Sequence, residues 1–181
     1  PARAFSSFLA ERERAFVARM RKFLREELKC GVPITNMNFG YGVHPEEFRE
    51  VRAKDYDYVD EHYYSDHPSF PETPWRLPAR VMGENPLRTW SGIGLQRKLA
   101  NVCVARKPFV MTEWDWTGAF AYRAAAGLVV GSVASADAWD GLWRFNFADS
   151  VWEAVHSEQC GVGFFSIAGN PLTQAAERAV M

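Results

Sequence analysis

Residues 107–114 read Lys-Pro-Phe-Val-Met-Thr-Glu-Trp, KPFVMTEW. Lys107 and Pro108 punctuate the chain, and the six residues after them alternate as a strand does. Successive side chains of a strand point to opposite faces, so Phe109, Met111 and Glu113 share one. Two apolar side chains followed by a carboxylate make a poor core pattern unless the carboxylate reaches a polar rim at the strand end. The C-terminal ends of barrel strands are where catalytic groups lie in (β/α)-barrel architecture.

Outward from this strand, helical and strand periods alternate. Phe5, Phe8, Leu9, Phe16, Met20, Phe23, Leu24 and Leu28 recur at helical spacing, with Arg and Glu opposite and Gly31 as a stop. A strand is expected over 33–39 (PITNMNF), then a short helix opening at His44 and Pro45 with Phe48 and Val51 inward. A second strand is expected over 57–64 (DYVDEHYY). Residues 65–92 hold five prolines with Trp75 and Trp90, an irregular stretch whose length and aromatic content point to an ordered functional loop. A helix over 95–105, the strand at 109–114, a small-residue helix over 122–138, a strand over 141–147 and a helix from Pro171 complete the order. One helix followed by four strand–helix units predicts an α/β fold with a parallel sheet in a single domain, 1–181.

Bulk properties narrow the functions. The 181 residues carry 21 Lys and Arg against 22 Asp and Glu, a net charge of −1, which offers no basic footprint for nucleic acid or membrane. No apolar run is long enough to span a bilayer. Cys30, Cys103 and Cys160 lack metal-ligand spacing, are odd in number, and read as small buried hydrophobes. Aromatics make up 14% of the chain, a richness that suits either sugar recognition or a core of large side chains.

Several strand ends carry groups able to hold a polar ligand. Asn36 and Asn38 share a face, and each amide offers donors and an acceptor for sugar hydroxyls or for turns. His62 and Tyr64 likewise share a face, either presenting their tips at one rim or satisfied by backbone. Phe147, nearest the end of the last strand, suits a sugar platform or the core. His62, Asp66 and His67 spell a possible metal cluster of a metal-dependent α/β hydrolase, but no helix aligns them, and no metal site is expected.

Taken together, Thr112-Glu113-Trp114 and His62-Tyr63-Tyr64 resemble the ends of barrel strands seven and six in glycoside hydrolase clan A, the group of the family 5 cellulases and mannanases. Residues 57–70, DYVDEHYYSDHPSF, and residues 107–147, with Tyr122-Arg123 and Trp139-Asp140-Gly141, look similar to a subgroup of cellulase-like hydrolases. The resemblance implies the C-terminal half of a TIM (β/α)₈ barrel, strands five to eight preceded by a helix. It implies Glu113 as the nucleophile of a retaining glycosidase, with Asn36, Asn38, His62, Tyr64, Trp114 and Phe147 around a carbohydrate substrate, and no cofactor. Phe147 stands where the family carries Trp. The family's general acid/base, a Glu at the end of strand four, has no counterpart, since no strand precedes Pro33. The expectation is therefore a fragment of a β-glycosidase, inactive alone, from a parent of the kind often exported. The open half sheet predicts a homo-oligomer. A carbohydrate-binding remnant without catalysis is the alternative.

Overall fold

The computed structural model describes residues 2–35, 45–65, 67–81, 83, 85, 87–88, 95, 99, 102–161 and 163–180; for residue 2 and residues 45–48 it describes the backbone alone. Its elements are α1 (Ala2–Lys22), α2 (Pro45–Asp55), β1 (Val59–Ser65), β2 (Phe109–Trp116), α3 (Ala125–Ala136), β3 (Gly141–Arg144), α4 (Val151–Val155) and α5 (Pro171–Arg178). The fold is mixed α/β, with a small open parallel sheet of three strands in the order β1-β2-β3. Two compact units divide the chain, residues 1–62 with 97–111, and residues 63–96 with 112–181; the division falls within β1 and β2.

The strand expected over 33–39 is not formed at residues 33–35, and its remainder, with Asn36 and Asn38, lies outside the described residues. Ile34 is instead tied by its amide to Asp57 Oδ2 at 2.7 Å, while its carbonyl accepts from the Asp57 amide at 2.8 Å. The last strand stops at Arg144 rather than 147, giving way to a cis peptide between Phe145 and Asn146. Of the helix expected over 95–105, residues 95, 99 and 102 are helical, and Cys103 and Val104 are not. His44 and Asp66 also lie outside the described residues.

In unit 1, α1 packs on α2 with the opposite orientation to the one its apolar stripe suggests. Ser6, Ala10 and Val17 are buried, whereas Phe5, Phe8, Leu9, Phe16, Phe23 and Leu28 are exposed. Ion pairs and a hydrogen bond flank the side that faces α2. Arg14 reaches Asp55 at 3.3 Å and Glu50 at 3.4 Å, Arg21 reaches Asp57 at 2.9 Å, and the Tyr56 hydroxyl donates to Glu13. Small residues between these groups let the helices approach, and Ala10, Val17, Val51 and Tyr56 form the core, with Ile34 against it. Arg25 adds a second guanidinium to Asp57, at 3.2 Å. α1 ends in a π-helical turn, Phe23–Glu27, before Gly31 is reached.

In unit 2, α3 and α5 pack through glycine. A Cβ at Gly127 would overlap Glu177 Cγ and lie 2.9 Å from its Cα, and one at Gly131 would lie 2.8 Å from Val180. α5 starts as its sequence predicts: Asn170 Oδ1 accepts from the Thr173 amide at 3.1 Å, and Pro171 occupies the first turn. Ser150 caps α4 in the same way, accepting from Glu153 N at 3.1 Å. The three cysteines are half-buried and outside any disulfide, rather than core residues. Cys160 lies over the end of α4, its sulfur 3.3 Å from the His156 carbonyl.

Candidate functional site

The site is built from unit 2. Tyr64 stands near the end of β1 and Glu113 in β2, and the Tyr64 hydroxyl donates to Glu113 Oε1. Burial, the hydrogen bond to Glu113, and the negative charges of Glu113 and Asp115 push the Tyr64 phenol above its ordinary range, with Arg144 opposing them. Tyr64 is therefore a fixed donor to the carboxylate and not a base.

Around Tyr64 stands an aromatic wall. Phe165 meets the Tyr64 ring edge-on at 5.5 Å, and His67 at 6.3 Å. His67 in turn packs on Trp75 at 5.4 Å and on Phe165 at 5.6 Å. Phe70 and Phe164 close the group behind Trp75, and Phe145 abuts Phe165 at 5.5 Å. Such tilted and edge-to-face contacts suit the ring quadrupoles and leave ring faces for a ligand. Trp75 is 55% and Phe145 40% exposed.

Local chain chemistry brings Trp75 there. Ser69 and Arg80 form an antiparallel bridge that closes the proline-rich stretch between them. Inside it the Arg76 amide donates to the Thr73 carbonyl at 3.2 Å, and Trp75 takes φ 63°. Pro74 followed by a positive φ is the pattern of a type II turn, whose third residue is normally glycine. A tryptophan there costs about 1–3 kcal/mol of backbone strain, the kind of cost that clusters at functional sites.

Beneath the wall lies a buried ion network. Asp115, two residues beyond Glu113 on the same face, pairs with Arg123 Nη2 at 3.3 Å and with Arg144, and Arg144 also pairs with Glu177. Burial pushes the Asp115 carboxyl up to about 7, against the pull of Arg144 and Arg123. Burial likewise raises Glu177. Arg123 also donates to three consecutive carbonyls, Gly163 at 3.0 Å, Phe164 at 3.4 Å and Phe165 at 2.5 Å.

Of the residues expected at the site, Tyr64 and Glu113 are brought together. Trp114 is fully buried, and the Arg144 guanidinium stacks 4.9 Å above its ring, so it belongs to the core and has no surface for a substrate. The reason is the alternation of β2, which turns Trp114 to the face opposite Glu113. Phe147 is 51% exposed, with its carbonyl accepting from Ile167 N at 3.0 Å and from the Ser166 hydroxyl at 3.2 Å. His62 is half-buried and belongs to unit 1. Among the described residues no three His, Cys, Asp or Glu are grouped to hold a metal ion.

Phe164 and Phe165 were not legible as site residues, while His67 was read only as part of a possible metal cluster and Trp75 only as part of an ordered loop. The Phe-Phe pair in GVGFFS was the available signal, but nothing in the sequence joins it to Tyr64, about a hundred positions away. The chain matches no family model, no curated protein and no solved structure.

Proposed function

We propose that this chain carries the nucleophile side of a retaining β-glycosidase site, with Glu113 as the nucleophile. The observation that carries the reading is the Tyr64–Glu113 hydrogen bond between adjacent parallel strands, beside an aromatic wall. In this reading β1, β2 and β3 correspond to strands six, seven and eight of a (β/α)₈ barrel. Glu113 attacks the anomeric carbon. Tyr64 holds the carboxylate in place, and Trp75 and Phe145 offer flat apolar surfaces to the C–H faces of the sugar.

Retaining hydrolysis also needs a second carboxyl group about 5–5.5 Å from the first, to protonate the leaving oxygen and then activate water. The second carboxylate of β2, Asp115, is engaged by two arginines. In this reading Asp115 is not the general acid/base, which is a carboxyl group other than the two of β2. That engagement of Asp115 also favours a second reading, carbohydrate binding without cleavage.

A leaving group that departs without a proton separates the two. Dinitrophenyl 2-deoxy-2-fluoro-β-glycosides of glucose, mannose, xylose and galactose glycosylate a nucleophile unaided by an acid. The expected result is a mass increase of one fluoroglycosyl group, mapped to the peptide bearing Glu113 and absent in Glu113→Gln. A folded protein that takes up none of the four, yet binds the parent sugars by calorimetry, establishes the second reading instead.

A further inference from the structure

We infer that Arg123 is a positioning residue for the Tyr64–Glu113 pair, acting through the 163–165 loop and touching neither partner. This rests on the reading of Glu113 as nucleophile. Arg123 is buried, and its guanidinium spans Asp115 on one side and the carbonyls of Gly163, Phe164 and Phe165 on the other. The planar fork of an arginine suits this task; an ammonium is a point charge without the fixed geometry. The loop it fixes carries Phe165, whose ring packs on the edge of Tyr64, and Phe164, which supports Phe70 and Trp75.

A second clamp acts on the same loop from β2's far end. The Gly118 amide donates to the Phe164 carbonyl at 2.5 Å. A Cβ at Gly118 would overlap the Gly163 carbonyl oxygen, so only glycine allows this approach. Arg123 and Gly118 thus hold one three-residue segment by independent contacts. The end of β2, its following turn and the loop form one rigid block against Tyr64. The chain devotes a buried guanidinium and a glycine to seating two phenylalanines, which ordinary packing would not require.

The groups that face Tyr64 are Glu113 and Asp115 from β2, Arg144 from β3, and His67 from the segment after β1. With Phe165 in place, the phenol is desolvated and stays protonated beyond the ordinary tyrosine range. If the loop swings away, water reaches the ring, and the hydroxyl loses its fixed direction toward Glu113.

The test uses the full chain labelled with ¹³Cζ-tyrosine, its Tyr64 resonance assigned by Tyr64→Phe. In the wild type this resonance stays unchanged through the range at ~10 in which a solvated tyrosine titrates. In Arg123→Lys, which keeps the charge but not the fork, and in Gly118→Ala, which displaces the loop from its other side, Tyr64 titrates within that range. The fluoroglycoside labelling rate at saturation falls at least about tenfold in both, the loss expected for one misdirected hydrogen bond to a charged group. Phe165→Leu, which changes the ring and leaves the backbone carbonyl that Arg123 holds, reproduces both effects even where either clamp variant fails to fold. A Tyr64 that stays silent in folded Arg123→Lys or Gly118→Ala, or in Phe165→Leu, overturns the inference. Absence of labelling in the wild type overturns instead the nucleophile reading, and the titration still decides the role of Arg123.

Discussion

Asp115 sets burial against ion pairing, and the sign of its pH dependence decides which wins. The carboxyl has no exposed surface, and its two arginine partners are themselves nearly buried. Desolvation is the largest influence on it, and its pKa rises from 3.8 to about 7. The unfolded chain gives up this proton near 3.8, whereas the folded chain keeps it until about 7. Between those values the folded state binds more protons, so stability falls as pH rises through that window and levels above it. At ~1.36 kcal/mol per pH unit the full loss is about 4 kcal/mol. Asp115→Asn removes the titration while keeping the shape of the neutral acid. All seven tryptophans fall in unit 2, so their fluorescence in urea follows this unit alone. Unfolding curves at intervals from pH 5 to pH 8.5 should show the wild type losing stability relative to Asp115→Asn as pH rises. A wild type that instead gains on the variant with rising pH would refute the reasoning, because it would mean that the arginines outweigh burial and hold the carboxylate charged.

Further outcomes follow from single contacts. Tyr64→Phe should slow labelling of Glu113 about 10- to 100-fold, the worth of a hydrogen bond to a charged group, with little change in the sugar concentration needed for half saturation. Trp75→Gly relieves the positive φ and removes a ring of the wall; sugar affinity by calorimetry should fall at least about tenfold while the melting temperature moves little, since the two effects on stability oppose each other. Gly127→Ala forces α3 from α5 at Glu177 and should cost about 1–3 kcal/mol, read as a lowered urea midpoint at unchanged slope. The exposed Trp143, Phe145 and Phe147, on and just beyond an edge strand, predict self-association; sedimentation velocity of a dilute sample should show a species larger than a monomer, and a stable monomer would contradict it.

The elements legible in the sequence were those whose local chemistry agrees with their burial. β2 was read from the segment after Lys107 and Pro108, and α5 from Pro171 at its start. α1 was legible as a helix but not in its orientation. Its apolar stripe outweighs Ser6, Ala10 and Val17 in any hydropathy count, whereas the contacts made by its buried side, including the ion pairs to Glu50, Asp55 and Asp57, join positions over thirty residues apart. The strand expected over 33–39 was favoured by its composition, but at Ile34 the backbone bonds to Asp57 instead. At the site, the sequence placed Tyr64 and Glu113 each near a strand end, and the structure joins them by a hydrogen bond. Trp114 entered the site through the family motif, although the strand alternation that groups Phe109, Met111 and Glu113 already sets it on the opposite face, where it is buried. The wall and its clamp come from a turn, a loop and a buried guanidinium, none of which has a period to read.

Asp57 has a mechanical meaning as well. One carboxylate takes Arg21 and Arg25 from α1 and its π-helical turn, and the Ile34 amide from the segment that follows. It is a knot into which three strands of load are tied. A pull on α1 along its axis would load both guanidiniums together. Its hydrogen bond from Arg21 is the chief reason that the acid stays ionised below the usual carboxylate range. The same knot would therefore slacken as acid protonates the carboxylate.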